Sequence, residues 1–327
     1  MEDLKKKRVV VIGGGTGTSI LLRGLKDYPV HLSAIITTAD TGGSSGRLRE
    51  ETGMAPPGDA RQCFVALNDA NHPILSHFNT RFSGGNLKGH TFGNLFLALL
   101  WQNYGDFQHA IEEAEKLFGS KHSVIPVTKG ATNLVANLKD GQIVAGESSI
   151  IQVENLNEKL KNMMLVPHAS LNPKAKRAIE NADHIVIGPG NLFASLTPPL
   201  LVDDMVEAVK RSSAQKIYVA NLMNQKKLNS GYTLSRYLEH FEGIFGEDIF
   251  NKVVHNKREI GDRVLRKYGV EDDPVIVDSP DARYVEADLV DTKISKQDPN
   301  DPLKRTFIRH DSKKLAKAVW GVINNKQ

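Results

Sequence analysis

The stretch VVVIGGGTGTSILLRGL, residues 9–25, contains the pattern around which the fold is built. Its first four residues are apolar and β-branched, which is typical of a strand buried on both faces of a parallel sheet. Apolar residues recur at helical spacing over residues 19–25, so the stretch predicts a strand, a tight turn and a helix. Such a turn places backbone N–H groups and the positive end of a helix dipole together, which suits a phosphate. The alternative is a tight turn that binds nothing.

Two well-known phosphate-binding motifs can be compared with this turn. The dinucleotide fingerprint requires a third glycine at the position that Thr18 occupies. The nucleotide-triphosphate loop requires Gly-Lys followed by Ser or Thr, and residues 13–18 contain no lysine. The turn therefore indicates a phosphate site of another lineage.

Composition limits the class of protein. The chain has 327 residues, of which 40% are hydrophobic, enough for a real core. A net charge of +4, carried by interspersed charges, argues against a dedicated nucleic-acid-binding protein. The sequence contains no membrane-length apolar run, and the basic residues 5–8 precede too short an apolar segment for a signal peptide, so we expect a cytoplasmic protein without a membrane span. The single cysteine, Cys63, agrees with a reducing compartment and is predicted to be a buried structural thiol.

Strands and helices alternate through most of the sequence. They predict an α/β fold, a Rossmann-like, doubly wound and mostly parallel sheet with helices on both faces. We expect one domain over residues 1–327, with a small antiparallel excursion within residues 120–170. Within that excursion the pattern predicts a helix over 132–138 and a strand over 142–153. Further on, it predicts a helix over 259–268 and a sheet strand over 275–278.

A second polar loop, DTGGSSGR at residues 40–47, follows the predicted strand 32–38. Parallel strands bring the loops at their carboxyl ends to one edge of the sheet, so this loop and the first should line one crevice. Asp40 could hold a metal or a sugar hydroxyl there, and Arg47 a phosphate. The alternative is a surface loop.

Three further positions have the chemistry of a binding site. Asp59, beside Arg61 and after two prolines, is either a helix cap or a pre-organised polar group. Asn94 stands in an otherwise apolar helix start, where a buried amide requires a partner. The loop at residues 188–191 follows a buried strand and, with its two glycines around a proline, predicts a rigid ligand-binding turn or a plain strand-to-helix turn.

Taken together, these loops resemble the gluconeogenesis factor family (YvcK-like proteins), which is related in fold to 2-phospho-L-lactate transferase. The resemblance rests on motifs that occur in the same order along nearly the whole chain: GGGTG at 13–17, DTGGSSGRLR at 40–49, PPGD at 56–59, GHTFGN at 89–94, GPG at 188–190 and RHD at 309–311. The sequence departs from the family pattern at residues 60–62, 191–195 and 223–233, on the distal side of the crevice, which leaves the identity of the sugar open.

The resemblance implies a nucleotide-sugar-binding regulator, with UDP-N-acetylglucosamine as the typical ligand, that acts in cell-shape and cell-wall control during gluconeogenic growth. No catalysis is established for this family, so the resemblance favours a protein that is not an enzyme without deciding the point. A regulatory protein partner and self-association are both compatible with it. By this resemblance, the ligand-facing residues would be Gly14, Gly15, Thr16, Gly17, Thr18, Asp40, Gly43, Ser44, Ser45, Arg47, Asp59, Asn94, Gly188, Pro189, Gly190, Asn191, Asn221, Tyr268 and Arg309.

The related transferase gives the alternative hypothesis, a magnesium-dependent enzyme acting on phosphorylated substrates. Under this hypothesis Asp40 and Asp59 are the candidates to hold the metal, because carboxylate oxygens are the ligands that Mg²⁺ prefers. A dinucleotide oxidoreductase is disfavoured by Thr18.

Overall fold

A computed structural model describes residues 6–69, 71–257, 260, 265, 273–292 and 308–325. Its strands, in chain order, are β1 Lys7–Gly13, β2 Val30–Ile36, β3 Ser123–Pro126, β4 Asn133–Leu138, β5 Ile143–Ala145, β6 Leu160–Val166, β7 His184–Ile187, β8 Gln215–Val219, β9 Lys252–Asn256 and β10 Tyr284–Ala287. Two predictions concern residues outside this description. Tyr268 is one of these residues, and the predicted helix over 259–268 lies mostly among them.

The helices of the described residues are α1 Gly15–Leu25, α2 Gly43–Thr52, α3 Pro57–Leu67, α4 Phe92–Tyr104, α5 Phe107–Leu117, α6 Glu147–Ile150, α7 Leu156–Lys159, α8 Pro173–Glu180, α9 Thr197–Leu200, α10 Met205–Arg211, α11 Lys226–Asn229, α12 Leu234–Phe245 and α13 Ser312–Ile323. A π-helical turn spans Leu192–Leu196, and short 3₁₀ turns span Leu75–His77 and Gly85–Leu87. None of these helices is both long enough and apolar enough to span a bilayer.

Seven strands form the main sheet in the order β10-β9-β8-β7-β1-β2-β3, and every neighbouring pair is parallel. The chain runs outward from β1 through β2 to β3 and then returns to β7 on the other side of β1. This reversal of strand order is the topological switch of a Rossmann-like fold. The predicted fold class is therefore confirmed.

The main sheet is buried on both faces, as the run of apolar residues in β1 predicts. Val9 and Val11 belong to one hydrophobic cluster, with α1, α3 and α13. Val10 and Ile12 point the other way, into a second cluster with α8, α10 and α12. Side chains alternate between the two faces of a strand, so one short apolar segment contributes to both cores.

The predicted antiparallel excursion is present as a second sheet, in the order β5-β4-β6. The predicted helix over 132–138 is wrong, because β4 occupies Asn133–Leu138. Its buried residues alternate, with Leu134, Ala136 and Leu138 turned inward, and this period of two fits a strand with one packed face. The predicted strand over 142–153 is limited to β5 and is followed by α6.

Two other elements differ from the sequence-based expectation. The loop predicted through Arg47 ends earlier, since α2 already begins at Gly43. Residues 275–278 do not form a strand of the main sheet; Ile276 makes an isolated bridge to Thr233, and β10 provides the sheet edge instead. A short apolar run cannot reveal which neighbour it will pair with.

Candidate functional site

A crevice of about 340 Å³ opens at the carboxyl end of the main sheet, beside the switch between β1 and β7. Ligands of open α/β sheets bind at this place, because the loops that follow strands on the two sides of the switch diverge there. Its volume lies within the usual range of small-ligand sites. The predicted residues that line it are Gly14, Gly15, Thr16, Gly17, Asp40, Gly43, Ser44, Ser45, Asp59, Asn94, Pro189, Gly190, Asn191, Asn221 and Arg309.

Three helices begin at this crevice. The first residues of α1, the stretch 42–45 around the start of α2, and Gly58 and Asp59 of α3 all line it. None of these three helices has a side-chain cap within the described chain. Free backbone N–H groups and three positive dipole ends therefore face one space, which favours an anionic ligand group.

Asp59 lies directly against the first glycine-rich turn. A Cβ atom on Gly14 would stand 2.1 Å from its Oδ2 atom, so only glycine fits there while this carboxylate keeps its place. The alternative that Asp59 is a helix cap is wrong, because α3 begins at Pro57 and its cap position is Pro56. Asp59 is a residue of the first turn and faces the crevice.

The polar loop at residues 40–47 packs against the beginning of α3. A Cβ atom on Gly58 would stand 2.3 Å from Ser45 Oγ and 3.2 Å from Asp40 Oδ2. Asp40 Oδ1 accepts a 2.8 Å hydrogen bond from the N–H of Gly42, which fixes the carboxylate at the beginning of α2. Asp40 and Asp59 thus lie on one side of the crevice.

A buried polar network explains Asn94. Its Nδ2 donates to Ser44 Oγ at 2.9 Å, and its Oδ1 accepts from Arg61 Nε at 2.8 Å. Ser44 Oγ also lies 3.0 Å from His90 Nδ1. Burial lowers the pKa of His90, so its ring is neutral at pH 7. The buried amide has the partners that sequence reasoning required, and it ties α4 to the beginning of α2.

The loop at residues 188–191, the third loop of the site, closes the other side of the crevice. A Cβ atom on Gly17 would stand 2.4 Å from the carbonyl oxygen of Pro189, so α1 touches this loop through a glycine. The N–H of Gly190 donates to Asn221 Oδ1 at 3.2 Å. Asn191 caps the π-helical turn and donates from Nδ2 to Gln225 Oε1 at 2.6 Å. Amide side chains that bond to one another therefore form this wall.

Glu147 is a crevice residue that sequence reasoning missed. It is the first residue of α6 in the small antiparallel excursion, and the sequence on either side of it contains no binding motif. Burial first, and then the negative charges of Asp40 and Asp59, raise the pKa of its carboxyl to about 8, although a backbone hydrogen bond at Thr41 acts in the opposite direction. Three carboxyl groups, those of Asp40, Asp59 and Glu147, therefore lie on one wall of the crevice. The carboxyl group of Glu147 is largely protonated at neutral pH.

The C-terminal Arg-His-Asp motif contributes Arg309 and His310 to the crevice. Burial lowers the pKa of His310 to about 4, so the imidazole is neutral under ordinary conditions. Asp311 accepts hydrogen bonds from the N–H groups of Lys313 and Lys314 at the start of α13. This helix cap anchors the motif at the edge of the site.

Four predicted site residues are not brought to the crevice wall by the described structure. Thr18 is fully buried behind the first turn, and Gly188 is buried behind the third loop. Arg47 points outward from α2 and donates to the carbonyl oxygen of Lys88 at 2.8 Å. Tyr268 lies outside the described residues. Cys63 is buried, as predicted, and burial raises its pKa well above the ordinary thiol value.

Besides Glu147, sequence reasoning did not place Arg81, Ile151 and Asn229 in the site. It noted residues 221–225 only as a polar strand end, whereas Met223 and Gln225 both line the crevice. The polar residues at the carboxyl end of a strand were the sequence signal that could have placed Met223 and Gln225 in the site. No comparable signal marks the others, because long-range packing brings them in.

The alternative hypothesis requires a magnesium site in the crevice. Among the described residues, no group of three or more His, Cys, Asp or Glu side chains has an arrangement that would hold a metal ion. Asp40 and Asp59 nevertheless share one wall, and Mg²⁺ is often bound by one or two carboxylates together with substrate phosphates and water. The donor set therefore fits a metal that arrives with a phosphorylated ligand.

Comparison with known proteins adds a family context. The model of the 2-phospho-L-lactate transferase CofD family matches residues 9–295. A protein named gluconeogenesis factor from Halalkalibacterium halodurans is 40% identical over 320 residues, covering 97% of this chain and 96% of that protein. The gluconeogenesis factor of Bacillus subtilis is 36% identical over 315 residues, covering 95% of this chain and 96% of the relative.

A solved structure resembles the fold closely. The crystal structure of a member of the UPF0052 family from Bacillus halodurans superimposes with a TM-score of 0.87 at 38% identity, covering 97% of this chain and 99% of the other. The similarity extends over almost the whole of both chains.

Proposed function

The chain belongs to the gluconeogenesis factors of the CofD family, and from this premise we propose that it is a cytoplasmic regulatory protein that binds a nucleotide sugar of the UDP-N-acetylglucosamine type. The observation that carries the proposal is the crevice at the β1/β7 switch, where three helix N-termini face an amide-rich wall. Helix N-termini suit a diphosphate, and amides suit the hydroxyl and carbonyl groups of a sugar and a base.

The chemistry of the described side chains supports binding rather than catalysis. The single thiol is buried and its pKa is raised, so it does not supply a thiolate nucleophile. His90 and His310 are neutral, and His90 is bonded to Ser44 in a buried network with Asn94. The bonds among His90, Ser44 and Asn94 hold one side of the site together, which suits a binding role.

Calorimetric titration with UDP-N-acetylglucosamine tests the proposal directly. We expect saturable binding, with weaker binding of UDP and UMP, because each loses groups that the crevice contacts. A protein that binds none of the three at millimolar concentration would contradict the proposal. Titration of the Arg309→Ala variant should show reduced affinity if this guanidinium pairs with a phosphate.

A transferase remains the second candidate function, and the shared position of Asp40 and Asp59 favours it. A magnesium ion held there would neutralise charge on a transferring phosphate group. The two carboxylates would orient the ion, and the helix N-termini would hold the remaining phosphate oxygens. Incubation with magnesium, a nucleotide-activated three-carbon acid and a deazaflavin acceptor tests this function; absence of product, with binding of the nucleotide intact, would reject it.

The cellular part of the proposal is a role in cell shape and cell-wall control during growth on gluconeogenic carbon. The names of the relatives, which are gluconeogenesis factors, support the link to gluconeogenic growth. Deleting the gene should impair growth and shape on a gluconeogenic carbon source and not on glucose. Complementation by a variant that is folded but does not bind the ligand would show whether binding is needed.

A further inference from the structure

The amide-rich wall of the crevice uses all of its amide oxygens within the protein. It contains four amide side chains, those of Asn191, Asn221, Gln225 and Asn229. Backbone N–H groups donate to the Oδ1 atoms of the three asparagines, at distances of 2.9 to 3.2 Å. A backbone N–H can only donate, so these bonds establish which end of each amide is the oxygen. Gln225 Oε1 in turn accepts from Asn191 Nδ2.

The groups that remain on this wall are N–H donors. Each amide nitrogen carries two hydrogens, and within the described part of the chain at most one of the two has an acceptor. The wall therefore keeps spare N–H groups, whereas every amide oxygen is already engaged. This imbalance determines which ligand groups can bind there.

Tyr237 holds one of these amides from behind the wall. Its side chain, on α12, is fully buried, and its hydroxyl accepts a hydrogen bond from Asn229 Nδ2. The hydroxyl donates at 2.9 Å to Asn224 Oδ1. Asn224 Nδ2 is itself bonded to the carbonyl oxygen of Tyr232 and to the carboxylate of Asp273. Because Asn224 offers the hydroxyl only an oxygen, the proton of Tyr237 points to Asn224 and a lone pair is left for Asn229.

The same hydroxyl acts on Asn221. Burial raises the pKa of Tyr237, and hydrogen bonds from the side chains of Asn221 and Asn229 act in the opposite direction. A bond that lowers the pKa of a phenol is one donated to its oxygen, which agrees with the use of the Asn221 oxygen by the N–H of Gly190. One buried hydroxyl thus orients amides on two segments of the crevice, one after β8 and one at the end of α11.

The spare donors of the wall require a ligand group that accepts hydrogen bonds. In the proposed site the helix N-termini take the phosphate oxygens, so the acceptors left for this wall are carbonyl oxygens. We propose that Tyr237 is a positioning residue, which orients the amides of Asn221 and Asn229 so that the wall binds carbonyl oxygens of the ligand. This inference rests on the proposed function, because a nucleotide sugar of that type has carbonyl groups in its uracil base and in its acetamido group.

Calorimetric titration of Tyr237→Phe with UDP-N-acetylglucosamine is the first test. The substitution removes one hydroxyl and keeps the ring, and the affinity should fall about tenfold. Tyr218→Phe is the matched control, because its hydroxyl is equally buried and has no hydrogen-bond partner among the described residues, and it should bind as the native protein does. Native affinity in Tyr237→Phe would overturn the inference and leave the proposed function standing, whereas a native protein that does not bind would overturn both.

Ligand selectivity is the second test, and it separates positioning from a loss of stability. The native protein should bind UDP about tenfold more tightly than CDP, or UDP-N-acetylglucosamine about tenfold more tightly than UDP-glucose, since the second ligand of each pair lacks one carbonyl oxygen. The pair that shows the preference identifies whether the base or the acetamido group meets the wall. The preference should shrink in Tyr237→Phe, whereas a purely structural role would lower both affinities equally. A native protein without either preference, or a preference that Tyr237→Phe leaves unchanged, would overturn the inference.

Discussion

The two walls of the crevice differ in charge and in how their polar groups are satisfied. One wall, here the acidic wall, presents the carboxyl groups of Asp40, Asp59 and Glu147. The other, the amide wall, presents Asn191, Asn221, Gln225 and Asn229 and is held by hydrogen bonds such as that between Asn191 and Gln225. The amide wall is neutral and pre-organised, whereas the acidic wall brings like charges together.

This difference suggests a division of roles within the proposed site. Neutral amides select a ligand by hydrogen-bond geometry, and their contribution does not change with pH. Neighbouring carboxylates respond to protons and cations, so the acidic wall should determine how binding depends on conditions. The predictions below separate the two walls, from the largest expected effect to the smallest.

Gly14→Ala should have the largest effect. Gly14 has an extended backbone that alanine adopts readily, so the obstacle is steric: a Cβ atom would stand 2.1 Å from Asp59 Oδ2 and 3.2 Å from Thr37 Cγ2. Relief of this contact displaces Asp59 or the first turn, and we expect the affinity for UDP-N-acetylglucosamine to fall about 100-fold or more. Calorimetric titration of the variant with UDP-N-acetylglucosamine measures this affinity. Gly243→Ala in α12 is the control, because a Cβ atom there meets nothing within 4 Å, and it should bind normally.

Asn191→Ala tests the amide wall. The substitution removes the bonds that Asn191 Oδ1 accepts from the N–H groups of Phe193 and Ala194, and the bond to Gln225. Loss of a helix cap costs about 1–2 kcal/mol, so the free energy of unfolding should fall by that amount in urea denaturation. Gln225→Ala removes only the last of these bonds and should cost less. Equal losses for both variants would show that the cap contributes nothing.

Glu147 should make binding depend on pH. Its pKa is raised to about 8, so the carboxyl gains a negative charge as the pH rises through that value. The added charge repels a diphosphate, and the affinity should decrease several-fold, up to about tenfold, between pH 7 and pH 9. Glu147→Gln keeps the shape without the charge and should flatten the profile. A native profile that is already flat would contradict this role for Glu147.

Arg47→Ala should have the smallest effect. Arg47 is exposed, lies away from the crevice and bonds to the carbonyl oxygen of Lys88. The affinity for the nucleotide sugar should change less than about twofold, within the usual effect of a surface substitution. Arg309→Ala, on the crevice wall, provides the contrast under the same conditions. A large loss of affinity in the Arg47→Ala variant would show that this side chain belongs to the binding site, as the sequence suggested.

Most of the architecture could be predicted where the signal is local. The apolar run before Gly13, the helical spacing after it and the polar loops at strand ends identify a doubly wound sheet with its site at the carboxyl edge. The requirement that a buried Asn94 have partners was also a local deduction, and Ser44 and Arg61 supply them. The predicted helix over 132–138 failed because that segment is stabilised by pairing with β6, which no short pattern reveals.

The sequence by itself determined the strand-turn-helix elements and the residue types at the crevice, because strand burial, helix periodicity and glycine turns depend on neighbours a few positions away. Only the tertiary structure decided which residues meet. Asp59 lies against Gly14, and Glu147 comes from α6, which follows β5 of the second sheet, to face Asp40, over separations of many tens of residues. Charge proximity and burial set the pKa of Glu147, and both are properties of the packed chain rather than of any segment.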